Sequence, residues 1–187
     1  MTLHSFPFNF QKSVEAAGLF LSLGGGRMHN LRLMKLLYMA DRQCLGREAR
    51  TITGDKVYAM RRGPILSTVH NLIRGKHYQT PLWQHYIKTD KHDVVIHVNP
   101  DTGELCRFEK KIIENIYQET IEKDVVQITH TFPEWKKYEN FLKDPSMKDS
   151  YRITTEDMLQ GLGKPELITK VEEKIADMKS YNKLFRT

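Results

Sequence analysis

The sequence predicts an α+β domain, compact and mostly helical, with one small antiparallel β-hairpin and a C-terminal helical extension. Three observations carry that prediction. Apolar residues recur at helical spacing along several stretches of the chain. One stretch, Asp93–Val98, is instead dense in β-branched residues and runs into turn formers. A charged segment with a narrow apolar seam follows the break at Gly161-Leu162-Gly163. With 187 residues, 40% of them hydrophobic, the chain can bury a core without disulfide or metal staples.

The elements follow in order. Residues 1–8 form an irregular arm containing Pro7. Phe10, Val14, Ala17 and Leu21 share one face of a first helix over Asn9–Leu23, which Gly24-Gly25-Gly26 ends. Asn30 is suited to cap a second helix, along which Leu33, Leu36, Leu37, Ala40 and Cys44 form the inward stripe. Gly46 suits a left-handed C-terminal cap for it. Val57–Met60 fits either a short strand or one helical turn. Gly63-Pro64 predicts a third helix from Pro64 to Arg74, because proline at the first helical position loses no hydrogen bond.

Further along, Asp93–Val98, the turn Asn99–Gly103 and Leu105–Phe108 predict the β-hairpin. A helix is expected from Glu109 to Glu122, with Ile112, Ile113, Ile116 and Tyr117 inward, and a short helix before His130. Thr154 and Asp157 form a capping-box pair. Pro165 opens the last helix, through about Phe185. Its seam of Ile168, Val171, Ile175 and Met178 serves either docking onto the parent domain or a partner-binding helix.

Charge is unevenly placed. The chain carries a net +6. Residues 1–79 hold 12 Lys/Arg against 4 Asp/Glu, whereas residues 80–187 hold 17 against 19. Arg27–Arg62 alone has nine basic and three acidic residues. Such a face can meet an acidic protein, a phosphate or nucleic acid. Arg42, Arg47, Arg50, Lys56, Arg61 and Arg62 surround two loops. About twenty residues separate the second and third helices, too many for a helix-turn-helix. A nucleic-acid-binding regulator using the basic half remains the alternative reading.

Other classes find little support. The longest apolar run, Ala16–Leu21, is far short of the about 20 residues a membrane span needs, and it lacks a cleavage-site pattern. Two cysteines, Cys44 and Cys106, make no disulfide framework, so a reducing cytoplasm is expected. Gly24-Gly25-Gly26-Arg27 lacks the Lys-Ser/Thr and preceding strand of a phosphate loop. His85, His92 and His97, with Asp90 and Asp93, lack the convergent spacing of a metal site. Cys44 lies on an apolar stripe and Cys106 has no activating neighbour. No catalytic residue, no cofactor and no metal is expected.

Several motifs in order resemble one family. Leu33-Met34-Lys35-Leu36-Leu37-Tyr38-Met39-Ala40 resembles its opening Leu-x-Lys-Leu-Leu-Tyr-x-Ala helix. Gly46 falls where that family has a loop glycine. Ala59-Met60-Arg61-Arg62-Gly63-Pro64-Ile65 resembles its Ala-x-x-x-Gly-Pro-Val/Ile signature, with Met60 where a Trp is usual. Ile128-Thr129-His130 followed by Trp135 resembles its Leu-Thr-His…Trp element, and Ile153–Asp157 fits its closing segment. This is the Panacea, or SocA-like antitoxin, domain. The resemblance covers residues 27–159, leaving 1–26 as an arm and first helix and 160–187 as the extension.

The resemblance implies an antitoxin of a type II-like toxin–antitoxin pair. Its partner would be a cognate protein toxin, of a kind that in several cases attacks translation. Neutralisation would come by direct binding, or by acting as an adaptor for a AAA+ protease. Lys35, Leu36, Leu37, Tyr38, Ala40, Gly63, Pro64, His130 and Trp135 are expected to build the scaffold. Arg42, Arg47, Arg61 and Arg62, with the Ile168–Met178 seam, are the expected partner contacts. Arginine is favoured there because its planar fork pairs bidentately with carboxylates.

Overall fold

A computed structural model describes residues 5–185, with side chains through Tyr181. The architecture is α+β: helices surround two small antiparallel sheets of three strands each. Helix α1 (Phe10–Leu23) starts where the Asn9 side chain accepts a hydrogen bond from the Lys12 amide. Gly25 and Gly26, at φ +80° and +87°, turn the chain into strand β1 (Arg27–His29). Helix α2 (Asn30–Glu48) follows at once, capped by the His29 ring rather than by Asn30.

Helix α2 is the axis of the molecule. Its buried face carries Leu33, Leu36, Leu37, Tyr38, Ala40, Cys44 and Leu45, and it packs against α1, α3, α5, α6 and α9. The helix does not stop at Gly46. Gly46 lies inside it because a Cβ there would come within 3.1 Å of Leu162. The left-handed cap falls instead on Ala49, at φ 51°.

Strand β2 (Val57–Met60) pairs with β3 (Gly63–Leu66) on one side and with β6 (Ser150–Ile153) on the other. Pro64 therefore lies in a strand, not at the start of a helix. It sits on the edge strand of the order β3-β2-β6, where proline is tolerated. Helix α3 (Ser67–Ile73) begins three residues later than expected, fixed by Asp55, whose carboxylate accepts from the Thr68 and Val69 amides at 3.0 and 2.9 Å. Helix α4 (Thr80–Tyr86) then leads into the second sheet.

The hairpin exists, but one segment earlier than expected. Strand β4 (Ile87–Asp90) pairs with β5 (Asp93–Ile96) across Lys91-His92, and β1 completes the order β1-β5-β4. Leu105–Phe108 is not a strand. Glu109 accepts from the Cys106 amide at 2.9 Å, and this capping box starts helix α5 (Arg107–Thr120). Strand β4 escapes a pattern search because Ile87 is its one buried residue.

Short helices α6 (Val125–His130), α7 (Pro133–Lys136) and α8 (Glu139–Lys143) lead to β6, and α9 (Thr155–Gly161) starts at the expected Thr154–Asp157 box. After a 3-10 turn at Pro165–Leu167 comes helix α10 (Ile168–Phe185). Its seam faces the protein's own core. Val171 and Ile175 are buried, with Ile168 and Met178 half-buried beside them. Lys164 and Lys174 donate to the Gly46 and Glu48 carbonyls at 2.6 and 2.5 Å, where cations favour the negative end of the α2 dipole. No helix among the described residues is long and apolar enough to cross a membrane.

Because α10 is docked, Ile175→Ala should cost about 2–4 kcal/mol of unfolding free energy, the usual range for a buried aliphatic truncation. Lys170→Ala, on its exposed face, should stay within about 0.5 kcal/mol. Urea titration of both variants checks the assignment.

Candidate partner-binding site

The sequence motifs converge on one tight turn, the Met60–Gly63 link between β2 and β3. Lys35, fully buried on α2, donates from Nζ to the Pro64 carbonyl at 2.6 Å. Trp135 on α7 donates from Nε1 to the Met60 carbonyl at 3.0 Å. His130, the last residue of α6, stacks on Trp135 with ring centroids 4.0 Å apart and the Arg62 backbone facing it. Gly63 is required on two counts. Its φ is +91°, and a Cβ would lie 2.8 Å from the Lys35 amine. Three helices thus grip a four-residue turn, and its two outward side chains are Arg61 and Arg62.

A second buried network secures α7, and with it Trp135. Glu134 is buried and accepts from the Tyr38 hydroxyl at 2.6 Å and from the Arg42 guanidinium. Arg42 also donates to the Gly161 carbonyl at 3.2 Å and lies over the Phe132 ring. Gly161 leaves room for this carboxylate, since a Cβ there would come 2.1 Å from Glu134 Oε2. Burial, reinforced by Glu134, pushes the Tyr38 phenol well up, so it remains a donor.

The basic run divides into structural and free charges. Arg27 pairs with Asp90 and Asp93. Arg32 donates to the Thr120 and Lys123 carbonyls at the end of α5. Lys35 is buried, Arg42 is held by Glu134, and Arg50 pairs with Glu109, which also holds Lys12. Arg47, Lys56 and Arg62 have no ion pair among the described residues. Arg61 reaches Asp149 at 3.5 Å, with both side chains largely in water.

The four expected contact arginines are therefore not together. Arg61 and Arg62 flank a cleft at the N-terminal end of α2. Arg47 is exposed near the other end, about 20 Å along the helix from Met34 in that cleft. Arg42 points into the protein, and the α10 seam is covered by the chain itself. Glu134 and the cleft residues His70, Arg74 and His92 escape sequence reasoning, because five separate segments assemble the cleft and nothing local marks it.

Burial pushes the Cys44 thiol up to about 12, which holds it protonated. Among the described residues no cluster of three or more His, Cys, Asp or Glu is placed to hold a metal. Burial lowers the Lys35 amine from 10.5 to about 7. A neutral amine keeps N–H donors, so the bond to Pro64 persists in either state.

The lowered value sets a sign. Between pH 7 and 10.5 the unfolded chain keeps a proton on Lys35 that the folded chain gives up, so stability rises with pH across that window. Urea unfolding of the wild type and of Lys35→Met at pH 7 and pH 9 checks this. The wild type should gain on the variant at the higher pH. An equal difference at both values would show Lys35 to be charged inside the protein.

Neither a curated protein nor a solved structure matches the chain. A family model described as the SocA-like antitoxin, Panacea domain, matches residues 33–136, from the buried face of α2 to the end of α7. That span holds the gripped turn with Lys35, His130 and Trp135, and the Tyr38, Arg42 and Glu134 side chains of the second network. The chain belongs to the SocA-like antitoxin, Panacea domain family.

Proposed function

We propose that this protein is the antitoxin of a toxin–antitoxin pair and that it neutralises a cognate protein toxin by binding it, without catalysing a reaction. The observation that carries this reading is the turn presenting Arg61 and Arg62 in a chain of this family. Buried side chains from α2, α6 and α7 hold the turn, while Arg62 has no ion pair among the described residues and Arg61 meets only the exposed Asp149. A preorganised loop gains affinity because less entropy is lost on binding. The reading places both partners in the cytoplasm.

The nucleic-acid alternative is the weaker one. Its main support was the basic run, and Arg27, Arg32, Lys35, Arg42 and Arg50 are spent within the protein. Of the nine cations in that run, Arg47, Lys56, Arg61 and Arg62 remain to displace counterions from a phosphate backbone.

A growth assay tests the proposal. The adjacent open reading frame is induced in a bacterium, alone and with this protein, and the pair is tested for co-purification. Arrest alone, rescue together and a stable complex are expected. Falling toxin levels without a complex would point instead to delivery to a AAA+ protease, and absence of toxicity would reject the pair. Arg61→Glu with Arg62→Glu should weaken the complex by about tenfold or more, as charge reversal at an interface does. Arg47→Glu, at the far end of α2, should leave it within about twofold.

A further inference from the structure

We infer that the cleft beside the gripped turn is the docking site for an acidic segment of the partner protein, one that carries an apolar side chain between its carboxylates. This inference rests on the antitoxin reading for the identity of the partner, not for the chemistry of the cleft.

The cleft has a volume of about 800 Å³ and lies between the start of α2, the β2–β3 turn, α3 and the β4–β5 turn. Its floor is apolar, formed by Met34, Met60, Ile65 and Ile73. Its rim is basic, with Arg61, Arg62 and Arg74. Arg62 and Arg74 are exposed and have no ion pair among the described residues. The one acid on the lining, Asp149, is exposed at 3.5 Å from Arg61 and is readily displaced by an incoming carboxylate.

Charge complementarity selects an acidic occupant, since arginine forks take carboxylates bidentately. The floor selects a peptide over a nucleic acid. An apolar side chain can bury itself against flexible methionine and branched isoleucine, whereas a sugar–phosphate backbone cannot. Nucleic-acid strands also use broad aromatic stacking platforms, whereas no Phe, Tyr or Trp lines this cleft and its rings are the imidazoles of His29, His70 and His92. A second large cleft, between the N-terminal arm and α10, has the opposite character. Exposed Tyr78, with Phe6 and Phe8, lines it, and it lacks a comparable basic rim.

The test uses the full chain co-expressed with the product of the adjacent reading frame. A photo-crosslinking benzoylphenylalanine is placed at half-exposed His70 in the cleft, and in a second variant at Tyr78 in the other one. Crosslinking at His70 to a segment rich in Asp and Glu is expected. Arg62→Glu with Arg74→Glu should weaken the complex about tenfold, with an unchanged circular dichroism spectrum, and Lys in place of the crosslinked acids should restore it. Crosslinking only at Tyr78, crosslinking to nucleic acid, or no crosslink at His70 overturns the inference. The two readings fail separately. Growth rescue by the charge-reversed variant overturns the acidic dock and leaves the antitoxin standing. An acidic crosslink from a non-toxic product does the reverse.

Discussion

The hydrogen bond from the Lys35 amine to the Pro64 carbonyl is the contact on which the rest of the site depends. It joins the central helix to strand β3 one residue past the β2–β3 turn. A lysine buried in this way would normally be costly. Here the cost is reduced by letting the amine approach neutrality near pH 7 while it still donates.

The same economy runs through the other charges. Asp41, buried on α2, accepts from the Ile52 and Thr53 amides at 2.8 and 2.9 Å and folds the loop after the helix. Asp55 then fixes the start of α3, and Glu15 accepts from the Glu104 and Leu105 amides before α5. Buried carboxylates in this protein mostly satisfy backbone donors that no helix or strand could satisfy. They allow long loops to pack tightly around short helices. Gly54, at φ +68°, shows how close that packing is, since a Cβ there would meet the Pro7 carbonyl at 1.9 Å.

What the sequence disclosed follows from how local each signal is. The helices with strong apolar stripes, α1, α2 and α5, were legible because their periodicity extends over several turns. The Thr154–Asp157 box was legible because both halves of the cap lie within four residues. Gly63-Pro64 misled, since the same dipeptide serves a helix start and an edge strand, and only the pairing with Ala59-Met60 decides. Strand β4 was hidden because three of its four residues face solvent. For the site, the motif residues were legible but their convergence was not. Lys35, Gly63, His130 and Trp135 span about a hundred positions. Likewise, no count of arginines separates Arg42, which is locked to Glu134, from Arg62, which is free.

That last distinction explains how a binding protein of this design can work. The residues that define the family pattern are mostly interior, so changing them costs folding free energy before it changes any surface. Arg61, Arg62 and Arg74 are exposed, so changing them costs the fold little, and in the proposed dock it would alter recognition. The two sets meet only through the backbone of the β2–β3 turn, whose carbonyls are held from inside while its side chains face outward. On the proposed reading, the fold fixes where a partner is met, and the side chains along the turn and α3 determine which partner it is.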